Sequence, residues 1–264
     1  NEANGTLNFN GGFPKGNSAT YGGCGYNEAN GTLNIHTCYI SNNTATSNGG
    51  GILNKGNLYM HPGFPEVHNN TANGISNNLY LDAGTKINVT GEFAYPAVIY
   101  VSGANVNTAI TSGYSTYNAG LRIDSYFKPD FGYDIYMKDN ELYLGVAKNV
   151  DVSNEAQLFA VAGMDSHITL ADDITLSKQL TINAGRTVTI DLNGHKLQRN
   201  VTENAQYNMV IDNFGSLTID DGSGTNSGQI TGGRAVNGGG ICCEAGSTLT
   251  FTGGTITSNT ASNT

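Results

Sequence analysis

Two Asp-Asp pairs, Asp172-Asp173 and Asp220-Asp221, are the first places to look for acid–base chemistry. Glycoside hydrolysis needs two carboxylates facing each other across a sugar, about 5–9 Å apart. Adjacent residues of a strand point to opposite faces, so each pair would be split within a strand. A turn suits them better, since Asp bonds to the backbone of tight turns. The second pair opens the run IDDGSGTNSG at 219–228, which is rich in oxygen ligands. Asp220 and Asp221 are therefore the calcium-ligand candidates, although the run lacks the alternating spacing and terminal Glu of an EF-hand. A polysaccharide lyase also needs a base beside acidic calcium ligands. The four arginines, Arg122, Arg186, Arg199 and Arg234, show no acidic companion set.

Other reactive residue types are scattered. Of the five histidines and four cysteines, none has zinc-motif spacing, and Cys-x-x-Cys is absent. A bond between the adjacent Cys242 and Cys243 would be strained. With Cys24 and Cys38 they are read as unpaired thiols. Eight of the 14 tyrosines fall in 93–145. Tyr114, Tyr117, Tyr126, Tyr133 and Tyr136 offer stacking surfaces for a sugar, or the packing of a solenoid cap. The triplet of residues 49–51, in NGGGILNKGNLY (48–59), returns at 238–240 in NGGGICCEAGSTLTF (237–251). Phosphate loops need a following helix and, for a P-loop, a Gly-Lys-Ser/Thr ending. Here the triplet precedes a strand, so it marks a turn.

The elements that must carry these residues come from a repeat. Residues 1–8 and 27–34 both read NEANGTLN, and 244–249 read EAGSTL. A second phrase, Asn-Ser/Thr-Ala, recurs at Asn17, Asn43, Asn70 and Asn259. Two phrases sharing a period of about 26 residues signal a solenoid. The apolar runs between them are short and alternate with period two, as in Leu33-Asn34-Ile35 and Leu58-Tyr59-Met60, which predicts strands with one buried face. The predicted fold is all-β: a right-handed parallel β-helix with coils of about 26 residues. Leu7, Leu33 and Leu58 form one inward column, and Phe9, Ile35 and Met60 the next. Asn17, Asn43, Asn70 and Asn259 hold one corner of their coils and are read as a structural, hydrogen-bonded ladder.

The organisation has three parts. Residues 1–91 are the last coils of a first β-helix. Residues 92–148 are a Tyr-rich cap with a hairpin of strands 133–137 and 141–144. Residues 149–264 hold a capping helix near 153–162, with Ser153 as N-cap and Gly163 as stop, and the first coils of a second β-helix. The chain opens on Asn1 rather than Met and closes inside a motif, so both ends read as cut.

Composition narrows the function. Charged residues make up 12% and the net charge is −9. Lys and Arg do not cluster, which argues against nucleic acid. No apolar run approaches the roughly 20 residues of a membrane-spanning helix. With GGGI at 49–52 and 238–241 and apolar-x-x-Asn at 40–43, 67–70 and 256–259, the chain resembles the GGAI/FxxN repeats of polymorphic outer-membrane protein adhesins. The segment ITLADDITL…LTINAGRTVTIDLNGHKL is similar to the opening coils of pectate-lyase-like β-helix domains in bacterial surface proteins. The resemblance implies a secreted or cell-surface module, an adhesin or stalk contacting glycans or host proteins, without catalytic residues or a cofactor beyond weak calcium. Two other readings stay open. One is a carbohydrate-active enzyme of pectate-lyase-like fold. The other is a self-assembling structural protein whose open coils stack on further coils.

Overall fold

In the computed structural model the described residues are 1–118 and 126–262. They form an all-β parallel solenoid with two short helices. The chain divides into two compact units, Asn1–Val146 and Ala147–Thr264.

In the first unit, the strands Thr6–Phe9, Thr32–Ile35, Asn57–Met60, Ile87–Val89 and Thr111–Ser112 stack in parallel. Their register sets Leu7 on Leu33 on Leu58 on Ile87, and Phe9 on Ile35 on Met60 on Val89. Leu33, Ile35, Leu58, Met60 and Ile87 are wholly buried. Each such side chain contributes about 1.5–3 kcal/mol of burial. The two inward columns expected from the repeat are thus present. A second face holds Tyr39–Ser41 under Glu66–His68, and Gly25–Asn27 under Ile52–Asn54 and Leu79–Leu81. Val98–Gly103 runs across both groups, with Ile99 on Val67 and Val101 on Leu79. The coils therefore continue past Gly91, where the repeat phrases fade, because Val98–Gly103 keeps the inward alternation without the Asn and Gly markers.

Between these two groups the chain leaves the face and returns. Ser18–Ala19, Thr44–Ala45 and Thr71–Ala72 pair along the outgoing arm, and the glycine phrase forms the return. Gly22, Gly49 and Gly238 each open their phrase at φ between +53° and +68°, a left-handed conformation that glycine adopts without strain. The next glycine lies flat against the following coil. A Cβ on Gly50 would sit well inside 3.0 Å of the Thr71 backbone, and one on Gly239 likewise against Thr260. The triplet is a close-packed turn.

In the second unit, Asn149–Val152, Ser166–Leu170, Thr187–Asp191, Ser216–Asp220 and Thr248–Phe251 stack in parallel. Val150, Ile168, Ile190, Ile219 and Phe251 form one column, and each step along it takes a longer stretch of chain than the one before. The helix Glu155–Val161 buries Leu158 and Val161. Its N-cap is Asn154, not Ser153: Asn154 Oδ1 accepts from Gln157 N at 3.0 Å. Ser153 lies one residue earlier and donates its own N–H to Gln157 Oε1, which ties the residue before the cap to the first turn. A second helix, Tyr114–Asn118, belongs to the first unit. The hairpin there pairs Tyr133–Lys138 with Glu141–Val146. Asp139 and Asn140, both at positive φ, turn it.

Candidate functional site

One corner of the first unit exposes aromatic rings. It is built from the connections that follow the strands Thr6–Phe9, Thr32–Ile35 and Asn57–Met60. From Phe9 to Lys15 and from Ile35 to Ser41 the chain takes six residues, and Lys15 bridges to Ser41. From Met60 to His68, the partner of Ser41, it takes eight. The two extra residues push Phe64 out of register and leave it 44% exposed, while Phe13 in the first coil is 74% exposed. Between them lies a shallow groove of about 170 Å³, lined by Asn10, Phe13, Thr37, Tyr39, Phe64 and Glu66 among others.

The groove has an aromatic floor and one acidic edge. Phe13 and Tyr39 have ring centroids 6.0 Å apart, and Tyr39 meets His68 edge-on at 4.9 Å. His68 Nε2 and Glu66 Oε2 are 3.2 Å apart, which fixes the carboxylate beside the rings. Cys38 lies beneath, 3% exposed, and burial pushes its thiol up to about 11. It is therefore a packing residue. The arrangement suits stacking an apolar ring face while accepting hydrogen bonds at Glu66. It holds a single carboxylate, where the usual glycosidase uses two.

These groove residues escaped the sequence reading. A signal exists: Gly12-Phe13-Pro14 and Gly63-Phe64-Pro65 repeat one tripeptide. The two copies coincide when counted from Phe9 and Met60, and differ by two residues only when counted back from Lys15 and His68.

The tyrosines singled out by sequence lie elsewhere in the unit. Tyr114 is wholly buried against Phe127, and burial pushes its phenol up to about 12. Tyr126 donates its hydroxyl to the Phe93 carbonyl at 2.8 Å. Tyr133 is half-buried, and burial with the nearby Tyr80 pushes it up to about 12. Tyr136 stacks on Tyr143 at 5.5 Å across the hairpin, and Tyr117 is 44% exposed. The structure does not gather these five into one cleft.

Asp220 accepts a hydrogen bond from Thr252. Asp221 is buried and takes backbone N–H groups on both oxygens, from Gly194 and Ser223 on one and Gly228 on the other. Burial alone would raise its pKa, but these donors hold it below the usual range. Its oxygens organise the turn. Asp172 and Asp173 are exposed in the bend before Ile174–Leu176, and Asp173 lies 3.5 Å from His195. Arg199 is 5% exposed and donates to the carbonyls of Tyr207 and Met209, Arg186 faces Asp165 at 3.6 Å, and Arg122 lies outside the described residues. The four cysteines are free.

The recurring asparagines are hydrogen-bonded in series. Asn17 donates to Asn43 Oδ1 at 2.8 Å, Asn43 to Asn70 Oδ1 at 2.9 Å, and Asn70 to Asn78 Oδ1 at 2.9 Å. Asn259 in the second unit donates to the carbonyls of Ile230 and Thr257. A second series, not anticipated, runs from Asn1 to Asn27 to Asn54. Compared with known proteins, the chain matches no protein-family model, no curated protein and no solved structure.

Proposed function

We propose that this chain is a non-enzymatic β-helix module of a secreted or cell-surface protein, an adhesin or stalk that contacts glycans through the Phe13–Tyr39–Phe64 groove. The observation behind this reading is the paired exposure of Phe13 and Phe64 around one carboxylate. Large exposed apolar groups in a groove mark contact sites. An aromatic face packs the apolar side of a sugar ring while Glu66 accepts its hydroxyls. The likeness to the GGAI/FxxN adhesins agrees with a binding role, since the glycine and asparagine markers serve the scaffold.

A glycan array on the intact chain, beside the double variant Phe13→Ala/Phe64→Ala, tests it. Both side chains are exposed, so the fold should survive. Two lost ring contacts at about 0.5–1.5 kcal/mol each should weaken binding about tenfold. No bound glycan, or binding that the double variant retains, sinks the reading. Cleavage of an oligosaccharide would favour the carbohydrate-active enzyme instead.

A further inference from the structure

The second unit brings together three ligating side chains that no repeat phrase predicts. Asp212, in the strand Ile211–Asn213, pairs in register with Cys242, in Ile241–Cys243 one coil on. Glu244 follows two residues later, and alternation keeps it on the same side as Cys242. Among the described residues, one ligand atom each from Asp212, Cys242 and Glu244 lie within 4.8 Å of one another. Cys242 Sγ is 3.4 Å from Glu244 Oε1. Metal–sulfur and metal–oxygen bonds near 2.3 and 2.1 Å at a tetrahedral angle set that edge at about 3.6 Å.

A second observation concerns the same Asp212 carboxylate. Asp212 is only 5% exposed, yet its Oδ1 is buried without a hydrogen-bond partner. Leaving such an oxygen unpaired costs about 1–3 kcal/mol, and more when charged. None of the three residues has an ion pair among the described residues. Three acidic groups converge with nothing cationic between them. Cys242 and Glu244 are half-exposed, which leaves a path from solvent.

We propose that Asp212, Cys242 and Glu244 bind a divalent transition metal of the Zn²⁺ class. Calcium and magnesium take oxygen ligands, whereas a thiolate with two carboxylates suits a borderline-soft ion. The Cys242 proton leaves to solvent as the metal–sulfur bond forms. Three protein ligands leave a fourth position for water or an incoming ligand. The ion also ties adjacent coils, since Asp212 and Cys242 belong to successive turns. Cys243 points to the opposite face and is not a ligand. The site is independent of the glycan reading.

The test is Co²⁺ titration of the chelator-stripped chain, read by the thiolate-to-cobalt charge-transfer band, with Zn²⁺ as competitor. The band should saturate at one Co²⁺ per chain and disappear on adding Zn²⁺. Cys242→Ser should abolish it, and Asp212→Asn should weaken Co²⁺ binding at least about tenfold. Cys243→Ser should leave both unchanged. Circular dichroism checks each fold, and Glu244→Gln replaces any variant that unfolds. Absence of the band in the unaltered chain overturns the proposal. So does a band that survives Cys242→Ser or follows Cys243 instead.

Discussion

In the first unit, Tyr26, Leu53 and Tyr80 stack at the middle of Gly25–Asn27, Ile52–Asn54 and Leu79–Leu81; in the second, Thr181, Asp212 and Cys242 hold the middle of Leu180–Ile182, Ile211–Asn213 and Ile241–Cys243. Two residues further on, the first unit carries Glu28, Lys55 and Asp82, and the second carries Asn183, Phe214 and Glu244. Lys55 lies over the Tyr26 ring at 5.3 Å. A hydrogen bond with Tyr26, then the Ala29 N–H and Lys55, hold Glu28 below its ordinary range against its slight burial. In the second unit, Glu244 has no ion pair among the described residues. Burial, with Glu244 close by, raises Asp212 and pushes Cys242 up to about 11. The first inner position is apolar in both, Ile52 and Leu79 in one and Leu180 and Ile211 in the other, while the third holds the wholly buried Asn27, Asn54 and Asn213. The inner face is set by packing, while the outer face can change its chemistry at no cost to the core.

The glycine phrase gives the strongest way to break this comparison. Gly50 and Gly239 meet the next coil equally closely. Thr71 is held between Thr44 and Ser76, and Thr260 pairs with Arg234. An added methyl at Gly50 must displace an interior coil. Gly50→Ala should therefore cost about 4 kcal/mol, at the diagnostic end of point substitutions. Gly239→Ala should cost a similar amount, since its contact with Thr260 is as close. Thermal unfolding measures both, and a clearly smaller loss at either would show that the coil it meets yields.

Next in size come the asparagines. Asn43 is wholly buried; its amide nitrogen serves Pro14, Ser41 and Asn70, and its oxygen accepts from Asn17. Asn43→Ala strands buried carbonyls and should cost about 2–3 kcal/mol. Asn259 is half-exposed and serves two carbonyls, so Asn259→Ala should cost about 1 kcal/mol. Denaturant unfolding separates the two. A larger loss at Asn259 would mean that the ladder position matters more at the edge than inside.

What could be read from sequence follows the same division. Leu7, Leu33 and Leu58 were legible as a column because NEANGTLN and its relatives repeat at nearly constant spacing. In the second unit the spacing lengthens with every coil, so Val188, Leu217 and Leu249 share only the short runs TVTID, SLTID and TLTF without a fixed period. The helix near 155 was legible from its cap chemistry, with its N-cap misplaced by one residue because Ser153 and Asn154 both suit that role. The groove repeats Gly12-Phe13-Pro14 at Gly63-Phe64-Pro65, which sequence alone reads as two turns, because the outward placement of both rings is set by the fold. Asp212 and Cys242 were hidden because they lie a whole coil apart along the chain and only the register brings them together. Packing repeats leave a trace in sequence; outer-face chemistry meets across coils and leaves none.

The smallest expected effect compares two buried carboxylates. Asp130 in the first unit accepts from Ser76, the Asn78 amide and the Asn78 backbone, at 2.6–2.7 Å. Its burial outweighs these bonds and raises its pKa. Asp221 in the second unit is also buried, but its backbone donors win and its pKa is lowered. The linkage signs are therefore opposite. A raised carboxylate contributes stability that is present below the unfolded value, about 3.9, and is lost as pH rises through the folded value. A lowered one contributes stability that is present above about 3.9 and is lost as pH falls through the folded value. Acidifying from neutral should thus favour the fold at Asp130 and weaken it at Asp221. Melting temperatures of Asp130→Asn and Asp221→Asn, each taken against the unaltered chain from pH 7 to about 3, read the two terms separately. The margin of the unaltered chain should grow on acidification in the first case and shrink in the second. Parallel slopes would mean that backbone donors offset burial equally in both units, and the contrast between the two carboxylates would fall.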